Sequence, residues 1–146
     1  MITHMLDTNI VIYVIKRRPR EVLAVFNQHA GKMAISAVTY GELVHGVEKS
    51  ARQVENLRVV EDFVSRLDVL PYTDKAVAHY GNIRADLERK GTPIGVNDLH
   101  IAGHARSEGL VLVSNNLREF ARIDGLRLEN WLSSPIIPPS RLSSSK

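Results

Sequence analysis

Four short apolar runs, ITHML (2–6), KMAIS (32–36), DVLPY (68–72) and GLVLVS (109–114), are separated by helix-length segments, and LRLENWL (126–132) supplies a fifth. Strands that alternate with helices pair in parallel through right-handed crossovers, which predicts a layered α/β domain. The intervening segments carry helical periodicity. A helix beginning near Thr8 and covering IVIYVI is apolar nearly all round, which predicts a central position. Residues 20–30 place Val22, Leu23, Phe26 and Ala30 at helical spacing. Ser36 can cap a helix over AVTYGELVHGVEK, with Tyr40, Leu43, Val44 and Val47 as its stripe. Residues 52–66 offer Leu57, Val60 and Val64, with Leu67 beyond, and Thr73 to Lys90 offers Ala76, Tyr80, Ile83 and Leu87 before a capping Gly91. A last long helix is expected over 96–108.

The chain has 146 residues, 44% of them hydrophobic, which suits one domain able to bury about two thirds of its unfolded surface. That domain is expected over residues 1–132, followed by a flexible Ser/Pro-rich tail, SSPIIPPSRLSSSK, from Ser133. Neither an apolar run of membrane-spanning length nor a secretory leader pattern is present, so a cytoplasmic location is expected. With no cysteine, disulfides, thiolate metal sites and cysteine nucleophiles are excluded, and any metal must sit on oxygen or imidazole. A net charge of +3 and the cluster Lys16, Arg17, Arg18 and Arg20 fit a polyanionic partner such as nucleic acid, although a solvated turn accounts for the cluster equally well.

In open α/β sheets, ligands bind beyond the carboxyl ends of the strands. Asp7 closes the first apolar run there, and Ser114, Asn115 and Asn116 close the fourth. Asp98 heads a helical stripe continued by Ile101, Ala102 and Ala105, so an acid leads a buried face. Its alternative is a plain N-terminal helix acid. Glu42 lies three residues after Thr39, as in a capping box, yet a helix capped at Ser36 would put it well inside, beside Leu43. Asp7 alone could be a helix cap as readily as a ligand. Acids that converge repel and neutralise unless a cation joins them. All-oxygen donors suit Mg²⁺ or Mn²⁺, the ions that serve phosphodiester hydrolysis. His100 and His104 lie four apart, but the glutamate of a zinc helix motif is missing, which favours ordinary helix histidines. Neither a P-loop nor a dinucleotide fingerprint occurs, and Asp7-Thr8-Asn9 lacks the second aspartate of the Asp-x-Asp phosphotransferases.

MLDTNIVIYVIK, SAVTYGELVHGVEKS, GVNDLHIAGHA and LVSNNLREFARIDGLRLENW resemble, in that order, the successive motifs of PIN-domain ribonucleases, and most closely those of the VapC toxins of toxin-antitoxin pairs. The resemblance covers about residues 1–132. It implies a three-layer α/β/α domain around a short, mostly parallel sheet of about five strands. It matches Asp7, Glu42 and Asp98 to the family's metal-binding acids, with Mg²⁺ or Mn²⁺ as cofactor and RNA, commonly tRNA, as the substrate cut. Many members carry a fourth aspartate where this chain has Asn116, and Glu119, one helical turn on, is placed to substitute for it. Ser114 and Asn115 are expected to orient water or phosphate. A VapB-type antitoxin and a homodimer are the implied partners. Two rival readings stand beside this one: a catalytically inactive RNA-binding or partner-binding module, for which Asn116 is the clue, and a small phosphatase.

Overall fold

The computed structural model describes residues 1–132; the tail expected from Ser133 lies outside the described residues. Its sheet has the strands β1 (His4–Leu6), β2 (Met33–Ser36), β3 (Asp68–Leu70), β4 (Val111–Val113) and β5 (Leu128–Glu129). They lie in the order β3-β2-β1-β4-β5, and every pairing is parallel. Each expected strand is present, and each is shorter than its apolar run. The connections are α1 (Thr8–Lys16) and α2 (Arg20–Gln28) between β1 and β2, then α3 (Ala37–Glu48) and α4 (Gln53–Val64) between β2 and β3. α5 (Asp74–Arg89) and α6 (Val96–Ser107) carry the chain from β3 across to β4, and the one-turn α7 (Leu117–Phe120) precedes β5.

The strands are so short that side-chain alternation along them decides which layer each residue joins. Leu6 and Val113 point into one core with Ile10, Val11, Val22, Phe26, Val60 and Phe63, under α1 to α4. Met5 and Leu112 point into the other with Ile83, Leu87, Leu99, Ile101 and Phe120, under α5 to α7. The result is the three-layer α/β/α architecture. A buried sheet with helices on both faces explains why the strands read as continuous apolar runs. α1 buries Ile10, Val11 and Val14, as its all-round hydrophobicity requires.

The helix ends follow the sequence signals closely. Ser36 caps α3 by accepting from Val38 N, and Thr73 caps α5 by accepting from Ala76 N. Beyond α5, Gly91 adopts φ +73° and lets Gly91 N and Thr92 N donate back to the Glu88 and Leu87 carbonyls. That pair of bonds satisfies the open end of the helix. α4 turns Val60 and Val64, with Leu67 beyond, toward the core as expected and departs at Leu57. Val60 and Phe63 are its buried positions, whereas Leu57 is 39% exposed. Apolar residues at 57, 60, 63, 64 and 67 permit two overlapping stripes, and Phe63 wins because it stacks on Phe26 at 5.6 Å.

α5 and α6 pack closely because α6 carries Gly103 at the crossing. A Cβ there would lie 2.8 Å from Tyr80 N and 3.0 Å from Tyr80 Cα, both backbone atoms that cannot swing aside. Gly46 in α3 has open space at the same position. Urea unfolding is therefore expected to show Gly103→Ala destabilised by about 1–3 kcal/mol through overpacking. Gly46→Ala is expected to gain up to about 1 kcal/mol from helix propensity.

Candidate active site

The strand order reverses between β1 and β4, so the crevice beyond their carboxyl ends is the place where loops diverge and a ligand can enter. Asp7 stands there at the end of β1. Its backbone N donates to the Val113 carbonyl of β4, and its Oδ1 accepts from Ile10 N at 2.9 Å, capping α1. The helix thus fixes the carboxylate in place while the sheet buries it to 3% exposure. Burial pushes the Asp7 carboxyl up to about 6; the Ser114 hydroxyl and the Ile10 amide oppose this, and the nearby Asp98 charge adds to it. The cap reading and the ligand reading of Asp7 are both compatible with one side chain, because a carboxylate has a second oxygen.

Asp98 occupies the first turn of α6, half-buried, and its carboxyl is raised by burial and then by the charges of Glu119 and Glu42. Glu42 sits well inside α3, so it is no capping-box residue. Its Oε1 accepts from Thr8 Oγ1 at 2.5 Å and its Oε2 from Asn97 Nδ2 at 2.5 Å. Those donors are the immediate chain neighbours of Asp7 and Asp98, which ties the three acids into one cluster. Asn116 Nδ2 donates to Glu119 Oε1 at 2.7 Å and aims that carboxylate toward Asp98. All five candidates, Asp7, Glu42, Asp98, Asn116 and Glu119, are therefore brought to one end of the sheet. Among the described residues, none of the ion pairs involves any of the four acids.

Two supporting residues escaped the sequence reading. Thr8 was legible only as the start of a helix, and Asn97 only as the residue before Asp98; their role as donors to Glu42 depends on contacts 34 and 55 residues apart. Ser114 supports Asp7 and accepts from Asn116 N at 2.8 Å. The Asn115 amide donates to Tyr13 Oη at 3.0 Å, which holds the side chain against α1. His100 stacks on Tyr80 at 4.1 Å and bonds Tyr72 Oη, and His104 is buried against Ser36 Oγ, so both are the ordinary helix histidines their context favoured. The basic cluster lies at the far end of α1, roughly 14 Å from Asp7 at 1.5 Å per residue over the helix. It forms an exposed turn into α2.

A PIN-domain profile matches residues 4–126. The chain belongs to the PIN-domain family. Within that family it groups with VapC ribonucleases. It is 61% identical over 132 residues to Ribonuclease VapC2 of Haemophilus influenzae, covering 90% of this chain and 100% of that one. It is 55% identical over 131 residues to the tRNA(fMet)-specific endonuclease VapC of Shigella flexneri, covering 90% and 99% of the two chains. The DNA-bound VapBC structure from Salmonella typhimurium superposes with a TM-score of 0.86 at 53% identity, over 90% of this chain and 99% of that one. The three-layer fold expected from the resemblance is thus the fold of VapBC toxin structures.

The raised Asp7 carboxyl has a stability consequence whose sign is fixed. Between its unfolded value of 3.8 and its folded value of about 6, the native state holds more protons than the unfolded state, so stability falls as pH rises through that window. Above it the ionised acid costs roughly 3 kcal/mol, at 1.36 kcal/mol per pK unit. Asp7→Asn keeps a capping oxygen and deletes the charge. In EDTA at pH 7.5, this variant is expected to melt above the parent chain, and the gap is expected to close as pH falls toward 4.

Proposed function

We propose that this chain is a Mg²⁺- or Mn²⁺-dependent endoribonuclease, the toxin of a VapB-type toxin-antitoxin pair, and that its substrate is a tRNA. The observation that carries the proposal is the convergence of four carboxylates at the switch point with no ion pair to any of them among the described residues. Anions so placed repel one another unless a cation belongs among them. The donor set is wholly oxygen, and hard divalent ions take oxygen ligands. Asp7, Asp98 and Glu42 would hold the ion, which when bound supplies positive charge to the attacked phosphate and acidifies water.

The chain's own side chains divide the remaining work. Thr8 and Asn97 hold both Glu42 oxygens, which leaves that carboxylate oriented. Ser114 and the Ile10 amide hold the Asp7 carboxyl below the value that burial alone would impose, so Asp7 is mostly ionised at neutral pH. Asn116 supplies no charge where other members carry an acid, but it holds Glu119, which restores one. That restored charge favours the nuclease over an inactive module.

Relatives from Shigella flexneri and Salmonella typhimurium are tRNA(fMet)-specific endonucleases, and at 55% and 53% identity they support the same substrate here. The VapBC structures support an antitoxin partner. A homodimer is part of the same proposal, as is a cytoplasmic location, where tRNA is found. No helix among the described residues is long and apolar enough to cross a membrane.

With water as the nucleophile and the ribose 2′-hydroxyl uninvolved, products carry 5′-phosphate and 3′-hydroxyl ends. Incubation of tRNA(fMet) with the chain and Mn²⁺ is expected to give one major cut with those ends. Asp98→Asn, and Asp7→Asn although it is the better-folded protein, are expected to lower the rate on the order of 10²–10³-fold, as loss of a preorganised charge does. Cleavage that persists in EDTA with 2′,3′-cyclic phosphate ends would refute the mechanism.

A further inference from the structure

A second cluster of ligating side chains lies at the opposite end of β1. His4, His29 and Glu129 each offer one ligand atom, and these atoms all lie within 4.8 Å of one another. Among the described residues this is the one group of three His, Asp or Glu side chains that meets that spacing; the acids at the switch point are more widely spread. His4 is the first residue of β1, His29 follows the last residue of α2, and Glu129 ends β5. His4 lies three residues before Asp7, on the order of 10 Å along the strand; Glu129 stands in register with Val113, level with Leu6, and its side chain reaches back to His4.

We propose that His4, His29 and Glu129 form a binding site for a borderline divalent transition metal of the Zn²⁺ class. Imidazole selects such ions and does not serve Mg²⁺, which demands oxygen. Two imidazoles and one carboxylate match the three-ligand zinc sites that keep a fourth position for water. Tetrahedral ligands about 2.0–2.1 Å from Zn²⁺ stand about 3.3 Å apart. His4 Nε2 and Glu129 Oε1 already stand at 3.2 Å. His29 needs only a small approach, and its ring centroid is 4.6 Å from that of His4.

The outer contacts select the ligating atoms. His29 Nδ1 donates to the Val25 carbonyl at 2.8 Å, which fixes its tautomer and leaves Nε2 with a lone pair. His4 Nε2 donates to Glu129 Oε1 at 3.2 Å, and an ion bound there would take the place of that proton; His4 Nδ1 lies 2.7 Å from Thr3 Oγ1, which can accept from it once Nε2 is a ligand. Trp131 Nε1 donates to Glu129 Oε1 at 2.9 Å, and the Trp131 ring stacks on His29 at 4.7 Å. Orienting partners of this kind are what hold metal-ligating histidines and carboxylates in place. The His4 side chain is 12% exposed and that of Glu129 46%, so the site opens to solvent through Glu129. A bound ion would join the first strand, the end of α2 and the last strand at one point.

The test uses the full chain cleared of metal with EDTA and carrying Asp98→Asn, so that the acidic cluster is weakened as a competitor. Calorimetric titration with Zn²⁺ is expected to give one ion per chain, unchanged by excess Mg²⁺, with a rise of several degrees in melting temperature. Adding His29→Gln or His4→Gln is expected to weaken Zn²⁺ at least 10-fold and remove the thermal shift. Histidine-ring NMR of the unsubstituted chain covers the case in which those variants fail to fold. There, His4 and His29 are expected to move before the other four histidines. Unchanged Zn²⁺ affinity after His29→Gln, absence of a stoichiometric ion in Asp98→Asn, or earlier movement of other histidines would each overturn the proposal.

Discussion

Asp7 is a desolvated carboxylate that the fold itself puts in place. The end of β1 and the bond from its backbone to β4 fix its place, and the cap of α1 requires a side chain there that accepts a hydrogen bond. Serine, threonine or asparagine would satisfy the cap about as well without the electrostatic penalty. The aspartate is therefore explained by what its second oxygen can bind, and the rest of the cluster follows the same logic. Glu42, Asp98 and Glu119 each reach the crevice from a different helix, and each adds charge to a place where charge is already costly. Concentrated strain of this kind is the usual mark of a site whose stability is traded for activity.

The fold was legible because both faces of a short parallel sheet are buried, so its strands cannot hide among polar alternations. Asp7 and Asp98 were legible because each begins a helix and is followed by an apolar face that sets its direction. Glu42 was legible once Ser36 was accepted as the cap of α3. What stayed hidden involved contacts between distant segments. Thr8 and Asn97 look like ordinary polar residues until α3 is placed beside them. Asn115 follows Ser114 at a strand end, a position that suggests ligand contact, and only the placement of Tyr13 on α1 shows where its amide goes. Leu57 was misplaced on the buried side of α4 for a local reason: too many apolar residues, and a position taken by Phe63 through an aromatic partner on another helix.

The pair Asn116 and Glu119 shows how a site can keep its charge while changing the residue that carries it. An aspartate at position 116 would be short and held by the backbone. Glu119 is longer, sits on a helix of one turn, and would lose side-chain entropy on being fixed. The Asn116 amide offsets part of that loss by holding Oε1, and the Glu119 charge is close enough to raise the Asp98 carboxyl. Under the proposed function Asn116 is a positioning residue, held to Glu119 by that one hydrogen bond.

β1 has three residues, and opposed chemistries lie at its two ends. Beyond its carboxyl end stand oxygen donors alone. At its amino end stand two imidazoles and one carboxylate, backed by a tryptophan and a threonine. Ligand type keeps such sites apart more reliably than distance does, because a hard ion gains little from imidazole. The reverse is less strict, since carboxylates also accept Zn²⁺, and the acidic cluster is protected chiefly by the wider spread of its oxygens. Oxygens spread in this way would suit an ion that keeps several of its own waters, as Mg²⁺ does, with Asp7, Asp98 and Glu42 as the residues that would hold it.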